Sequence, residues 1–584
     1  MTSPEPGRRT ALILLAIATA IGALFRFYRL DWGAPYFHFH MDEHYVFMGA
    51  DLLRRDPERA AMSSKFFMYS PGPMYAVNYI RSAWEWWAGA ALNLETQRDQ
   101  ITYMVLGRAF SATLGTLTIP AVYAVASRVA GRLAGVIAAF LIAFSVLHLR
   151  ESHFFTVDVS LTFFSVLAWF FLVRTVQRGR WSSGVGAGIA FGLATVSKYT
   201  AVYLAPLIAL SQLLSPDAPK TLRPLGAWVR PVLRTAAIGV LAVATFLILD
   251  PLVVQYWDKF RSDIREQVTT PLTGISQPIF FAHFTNIGSP RLYWITNLLW
   301  WGLGPAFEIA ALIGMAWLLF VRRDRVSLML AAIPLVFWLV AGQSVAPFMR
   351  YAVPLAPAMA VIVGVAGVEW LRQPRLQRAA AVALSIVLLT TAFWAGAYMN
   401  IYRSEDTRLA ASRWIAHNVP DRAKILVEPT HNTPPMASYR TKVNFYGDHV
   451  IWASFNHPRG EAERDDYYRF YALDVYRYLY NPNRTDEERR EYIARRLSMV
   501  DWIVTDDTYM RWYGELPDEE YGVVKQHYRD LLDGKLGFEL VQSFQVRPSL
   551  FGIAINDDNA EFTFRYFDHP PVYIFRRVQP SPAS

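Results

Sequence analysis

The chain has 584 residues, of which 53% are hydrophobic and only 18% charged, with no cysteine and a formal net charge of +9. A soluble protein of this length carries more charge, and a chain without cysteine holds no disulfide, iron–sulfur cluster or thiolate zinc site. The excess positive charge is not a nucleic-acid footprint, because the lysines and arginines fall mostly in short loops between apolar runs, where they report membrane orientation.

Those apolar runs recur at a length that crosses a hydrocarbon core of roughly 30 Å. About eleven membrane-spanning segments are predicted, over 11–30, 101–127, 132–149, 156–174, 183–197, 199–214, 235–250, 292–320, 327–342, 352–371 and 379–399. The first follows Arg8 and Arg9 but has no small-residue cleavage site before Arg26, so it is expected to be a retained span and not a signal peptide. With a cytoplasmic N-terminus, every inner loop is short and basic. They hold Arg128 and Arg132, then Arg174, Arg178 and Arg180, then Lys220, Arg223, Arg230 and Arg234. Arg322, Arg323 and Arg325 follow, and finally Arg372, Arg375 and Arg378.

The outer segments have a different character. The first outer loop, 31–100, mixes charge with aromatics. Its stretch 72–91, with Trp84, Trp86 and Trp87 and interrupted by Arg81 and Glu85, predicts an interfacial helix and not a span. A second outer loop covers 251–291. The tail 401–584 is polar and of domain size. It carries a predicted helix over 405–417 and strand-like runs at 424–428, 501–505, 538–545 and 572–577, an α/β pattern. With an odd number of spans from an inner N-terminus, this tail is expected outside the membrane, and the chain divides into 1–400 and 401–584.

The candidate chemistry lies on that outer side. Asp42 and Glu43 follow the first span and open a predicted helix over 43–55, where they also suit an N-cap and a first-turn acid. Asp158 sits in the outer turn His148-Leu149-Arg150-Glu151-Ser152-His153-Phe154-Phe155-Thr156-Val157-Asp158 at the start of an apolar helix. Arg108, about seven residues into its span and on the order of 10 Å deep, is the expected partner of Asp158. Lys198, Asp250, Glu308 and Arg350 also fall near outer ends. Gathering costly charges on one membrane face marks a functional site. Asp506 and Asp507 follow a strand-like run in the tail and read as loop caps. His38, His40, His44 and His153 raise a divalent metal as a candidate cofactor, with His40 and His44 four apart beside Asp42 and Glu43, although the spacing is not His-Glu-x-x-His. Arg350 in Arg350-Tyr351-x-x-Pro354 suits either headgroup snorkelling or a phosphate clamp.

Taken in order, these elements resemble membrane glycosyltransferases of the C-type fold, in the protein O-mannosyltransferase and lipid A aminoarabinose-transferase group. The resemblance rests on Asp42-Glu43-x-Tyr45 after the first span, then Tyr69-Ser70-Pro71-Gly72-Pro73-Met74-Tyr75, then Gly107-Arg108-x-x-Ser111. It continues through Ser152-His153 to Asp158, Gly192-Leu193-Ala194-x-x-x-Lys198-Tyr199, and Arg350-Tyr351-x-x-Pro354, covering about residues 11–400. The tail, with Phe567-Asp568-His569-Pro570-Pro571, resembles carrier-lipid-dependent members more weakly. Tyr-Ser-Pro-Gly-Pro departs from the family's proline element, and Lys65 aligns with no family lysine.

The resemblance implies a polytopic α-helical membrane protein with a C-terminal extracytoplasmic α/β domain, set in the plasma (inner) membrane. It implies an outward-facing site and inversion at the anomeric carbon, with a base in the first outer loop. The donor would be a polyprenyl-phosphate-linked sugar, and the acceptor a protein, glycolipid or glycan; membrane lipid is a partner and nucleic acid is not. Asp42, Glu43 and Asp158 are the expected catalytic residues, and Arg108, Lys198, Arg350 and Tyr351 the expected phosphate ligands. His40, His44 and His153 are candidate metal ligands. A lipid-phosphate is already a good leaving group, so the chemistry needs a base and cations but no general acid. Two alternatives stand beside this reading. One is a lipid-linked sugar transporter or flippase, against which the lack of repeated halves counts. The other is a C-type transferase acting on a polysaccharide or oligosaccharide; an oligosaccharyltransferase tail would carry a Trp-Trp-Asp-Tyr-Gly-like element, whereas Trp300-Trp301-Gly302 lies in a span here.

Overall fold

The computed structural model describes residues 5–578 except 37–38, 64–65, 95, 220–224, 274–278, 285, 429–431, 437–443, 446–448 and 451–467. His38, Lys65, Lys220 and Arg223 lie outside the described residues. The chain forms two units. One comprises Met1–Asp31, Asp42–Leu272 and Ser289–Met399; the other comprises Trp32–Met41, Thr273–Gly288 and Asn400–Ser584.

The first unit is helical. Its elements are α1 (Arg8–Phe27), α2 (Met41–Arg55), α3 (Gly72–Ala88), α4 (Gln97–Ala130), α5 (Arg132–Phe144), α6 (Asp158–Arg178) and α7 (Trp181–Ser197). They continue as α8 (Pro206–Leu213), α9 (Val229–Leu249), α10 (Trp257–Thr273), α11 (Pro305–Trp317), α12 (Arg325–Ala341), α13 (Leu355–Leu371) and α14 (Gln377–Arg403). Every predicted spanning segment falls on helix. Six helices among the described residues, those beginning at Arg8, Arg98, Asp158, Gly226, Pro305 and Gln377, have the length and apolarity for a full crossing. Several others are cut short by local sequence: Gly131 at φ +96 ends α4 and starts α5, and Lys198, in extended backbone, ends α7.

Outer faces of these helices are apolar and open. Val382, Ile386 and Leu389 share one face of α14 and are 61%, 52% and 70% exposed. In water such a stripe marks an interaction site; against acyl chains it costs nothing. Inward, α13 is buried continuously from Leu355 to Val368. Gly364 lets it close on α5, since a Cβ there would stand 2.5 Å from the Ala134 carbonyl oxygen. The predicted helix over 72–91 appears as α3, ended by Gly89 in the left-handed region and tied by Arg81 to Glu85 at 2.9 Å.

The second unit is built on a five-stranded sheet. Its strands are β1 (Lys424–Val427), β2 (Arg469–Ala472), β3 (Trp502–Asp506), β4 (Phe538–Phe544) and β5 (Val572–Arg577), in the order β2-β1-β3-β5-β4. β1 runs parallel to β2 and β3, and β5 antiparallel to β3 and β4. Apolar runs without alternation in β1 and β3 follow from cover on both faces. Ile425, Val427 and Val504 pack with Ile415 of α15 (Thr407–Asn418) on one side. Leu426 and Ile503 pack on the other with Leu497 of α16 (Asp486–Ser498) and Val524 of α17 (Asp518–Leu532). A Thr485–Glu488 capping box starts α16. Asp506 caps locally, accepting from the Thr508 amide at 2.6 Å. The chain is thus a multi-pass helical membrane protein with a C-terminal sheet-bearing unit.

Candidate active site

Asp42, Glu43, Arg108, Asp158, Lys198, Glu308 and Arg350 all lie in the first unit. Asp42 and Glu43 are neighbours in the first turn of α2, so the helix points them about 100° apart and each finds its own partners. Glu43 is fully buried. Its two oxygens accept from Arg108 Nε at 2.8 Å and Nη2 at 2.7 Å, a bidentate fork, and Oε1 also accepts from the Phe155 amide at 2.8 Å. Arg108 spends Nη1 on the Leu30 carbonyl at 3.0 Å. One carboxylate therefore pins α2, α4, the end of the first span and the 153–157 turn together.

Asp42 sits differently. Its Oδ1 accepts from the Tyr69 hydroxyl at 2.8 Å and its Oδ2 pairs with Arg350 Nη1. The Arg350 side chain keeps 21% of its surface exposed, whereas Arg108 keeps 4%. Burial, reinforced by Asp42, raises the Tyr69 phenol well above its usual range, so Tyr69 is a proton donor to Asp42 and not a competing base. Burial works against the charge of Arg350, but Asp42, Tyr351, Tyr69 and Asp158 together outweigh it and raise the guanidinium above its ordinary value.

Asp158 opens α6 and accepts from Lys198 Nζ at 2.6 Å. The partner expected for Asp158 was Arg108; the structure instead joins Arg108 to Glu43 and Lys198 to Asp158. Depth below the surface is readable from helix rise, but the rotation of each helix about its axis decides which cation faces which acid. Lys198 Nζ and Arg350 Cζ lie 5.1 and 5.5 Å from the Tyr351 ring centroid, so both cations flank that ring. Glu308 is buried in the first turn of α11, with neither carboxylate oxygen hydrogen-bonded among the described residues.

Sequence reasoning passed over Glu151. It is buried at the end of the short helix 146–151, beside Arg150 at 2.6 Å, and burial pushes its carboxyl up to about 7, with Arg150 opposing. Asp158, Arg350 and Asp42 are close enough to act on its charge. The signal was the buried turn itself, but an adjacent Arg-Glu pair in sequence looks like a solvated one.

Among the described residues His40, His44 and His153 do not converge on one metal site. His40 belongs to the other unit, where its ring stacks on Phe567 at 3.9 Å. Both ring nitrogens of His153 face backbone carbonyls, of Leu149 and Tyr28, each at 3.2 Å. The His44 ring lies tilted against its neighbour Tyr45, with ring centroids 6.0 Å apart. Among the described residues no three histidines or acids converge on one point. Asp42, Glu43 and Asp158 each already face a cation, so these side chains as placed do not fit a divalent ion.

Residues 102–249, from α4 to the end of α9, match the family described as dolichyl-phosphate-mannose-protein mannosyltransferase. No curated protein sequence matches the chain. Among solved structures, the chain is similar to ArnT from Cupriavidus metallidurans bound to undecaprenyl phosphate, at 13% identity and a TM-score of 0.48, covering 97% of this chain and 98% of that one. It is similar to the Archaeoglobus fulgidus oligosaccharyltransferase in complex with Zn and sulfate, at 15% identity and 0.47, covering 94% and 74%. It is also similar to the Pmt1–Pmt2 protein O-mannosyltransferase complex of S. cerevisiae, at 15% and 0.32, covering 43% and 34%. At these scores the structural likenesses are loose. The family match, whose range contains Arg108, Asp158 and Lys198, agrees over residues 102–249 with the resemblance to polyprenyl-phosphate-sugar-dependent C-type glycosyltransferases, and together with the apolar helices it marks the chain as a multi-pass membrane protein.

Proposed function

We propose that this protein is an inverting glycosyltransferase that moves a sugar from a polyprenyl-phosphate carrier to an acceptor hydroxyl on the outer side of a cell's plasma membrane. The observation that carries this is the setting of Asp42. It is the one acid of the site that shares its proton network with a phenol and a partly open arginine, while Glu43 is sealed.

In the resting site Arg350 holds Asp42. A donor phosphodiester entering beside Tyr351 competes for that guanidinium and, with Lys198, takes up the anionic end. Asp42, released, accepts the proton of the acceptor hydroxyl. The acceptor oxygen attacks the anomeric carbon, the bond from that carbon to the phosphate oxygen breaks, and the electron pair stays on the phosphate. The leaving group gains one negative charge over the donor, so Arg350 and Lys198 bind the transition state more tightly than the ground state, which is what accelerates a reaction. Glu43 and Arg108 hold α2 in place and touch no reacting atom.

The test is Asp42→Asn in purified protein supplied with an undecaprenyl-phosphate sugar. Turnover should fall by about two to four decades with donor binding kept, the usual loss for a general base. Turnover near that of the wild type would refute the assignment.

A further inference from the structure

A second set of polar side chains in the first unit is unused by this mechanism. Asp250 caps the outer end of α9 and has no exposed surface, yet it forms no ion pair among the described residues. Its only side-chain hydrogen bond there is a loose one from the Tyr199 hydroxyl, at 3.5 Å to Oδ2. The Tyr75 phenol and the Leu252 and Val253 amides also face the carboxylate, while Oδ1 itself closes no hydrogen bond of ordinary length and angle among the described residues. The hydroxyls of Tyr75 and Ser70 are likewise shielded from solvent and unbonded. Ser70 adjoins Tyr69, which donates to Asp42, and faces Tyr199. It stands at φ +52, a strained setting for a side-chain-bearing residue.

Besides Oδ1 itself, two buried hydroxyls without a hydrogen bond, Tyr75 facing the carboxylate and Ser70 facing Tyr199, thus belong to one cluster. Leaving such groups without partners is expensive, so native structures rarely tolerate a convergent set unless something else completes it. The surroundings are aromatic. The Tyr199 ring lies 5.2 Å from Phe260, and Phe260 lies 5.6 Å from Phe67. A carboxylate with phenols and a hydroxyl, set in an aromatic wall, matches a sugar ring: neighbouring hydroxyls donate to the carboxylate while C–H faces rest on the rings. A phosphate would meet no cation among the described residues of this cluster, and the ionised form of Asp250 would repel it.

We propose that Asp250, Tyr75, Tyr199 and Ser70, walled by Phe67 and Phe260, recognise hydroxyls of the transferred sugar. This rests on the donor reading above. Tyr199 directly follows Lys198, so the sugar would lie beside the phosphate-facing cations and next to the Tyr69–Asp42 pair.

The experiment measures binding of undecaprenyl-phosphate mannose, glucose and galactose, with bare undecaprenyl phosphate as reference, to wild type, Asp250→Asn and Tyr75→Phe. Wild type should bind one sugar-lipid more tightly than the bare carrier. Both variants should lose about tenfold of that preference, the worth of one hydrogen bond to a charged group, with affinity for the bare carrier unchanged. Tyr75→Phe removes only an unbonded oxygen, so its fold should survive even where Asp250→Asn lowers the melting temperature. Unchanged sugar preference in Tyr75→Phe, or equal losses for sugar-lipid and bare carrier, would overturn the subsite while leaving the donor reading intact. Intact donor binding with a raised acceptor requirement would assign the hydroxyls to the acceptor and likewise overturn it. A wild type with no preference for any sugar-lipid would instead sink the donor reading, and the subsite with it.

Discussion

Glu151 shows what single residues contribute to the pH response. Its carboxyl titrates near 7 in the folded protein against an ordinary value of 4.5, chiefly because burial disfavours the charged form. Between those values the folded state holds a proton that the unfolded state has released, so stability falls as pH rises. The contribution is complete below 4.5 and lost by the time pH passes about 7. The melting temperature in detergent should therefore drop between pH 5 and pH 7.5. Glu151→Gln, which stays neutral throughout, should flatten that drop. A slope equally steep in the variant would show that another group carries it. The contrast with Glu43 is instructive. Both acids are buried beside an arginine, but Glu43 receives a two-bonded fork and a backbone amide, whereas Oε2 of Glu151 has no hydrogen-bond partner among the described residues. Arg150 Nη1 meets Oε1 of Glu151 at 2.6 Å and leaves Oε2 without such a bond, a difference that cannot be read from the letters Arg-Glu alone.

At the scale of elements, the site depends on how closely α3 approaches the end of α7. Gly72 begins α3, and a Cβ there would stand 2.4 Å from the Val196 carbonyl oxygen, two residues before Lys198. Gly72→Ala should push α3 away from α7 and cost about 1–3 kcal/mol, the range for overpacking a filled interior. Because Tyr69 and Ser70 lie just before the glycine, activity should fall along with the melting temperature. Gly239→Ala is the control: nothing lies within 4 Å of a Cβ there, so the added methyl should leave stability level or raise it through helix propensity. Equal behaviour of the two variants would show that the approach is slack. The same packing explains how far the sequence could be read. Helix positions, the outer acids and the strands at 424, 502, 538 and 572 follow from periodicity and turn residues, which are local. The partner of Arg108 and the approach at Gly72 depend on helix rotation and side-chain size across a hundred residues, which are not local. β2 escaped as well, since Arg469-Phe470-Tyr471-Ala472 is short and lacks the β-branched residues that mark a strand.

For the molecule as a whole, the reading turns on which side of the membrane the acids face. Every inner loop predicted from the N-terminus is basic, and the same prediction puts Asp42, Asp158, Lys198 and Arg350 at the outer ends of the spans. The second unit contributes no residue to the proposed chemistry. Its buried His569 is held between Asp557 at 2.7 Å and Asp568 at 2.8 Å, an arrangement that ties its own chain segments together. If the polyprenyl-phosphate sugar is used on the outer side, this unit lies outside too, where it would offer a surface to a large acceptor. The chain has no native cysteine, so a single introduced thiol reports its side without background. Glu519→Cys places one at an exposed position in the first turn of α17, and Gln373→Cys places one in the exposed loop between α13 and α14. A membrane-impermeant maleimide should label the first in intact cells and the second only after permeabilisation. The reverse pattern would put the second unit in the cytoplasm and Asp42 with it, and the transfer of an externally presented sugar would fall. Labelling of both in intact cells would mean an even number of crossings between Gln373 and Glu519, and α14 would then not span the bilayer.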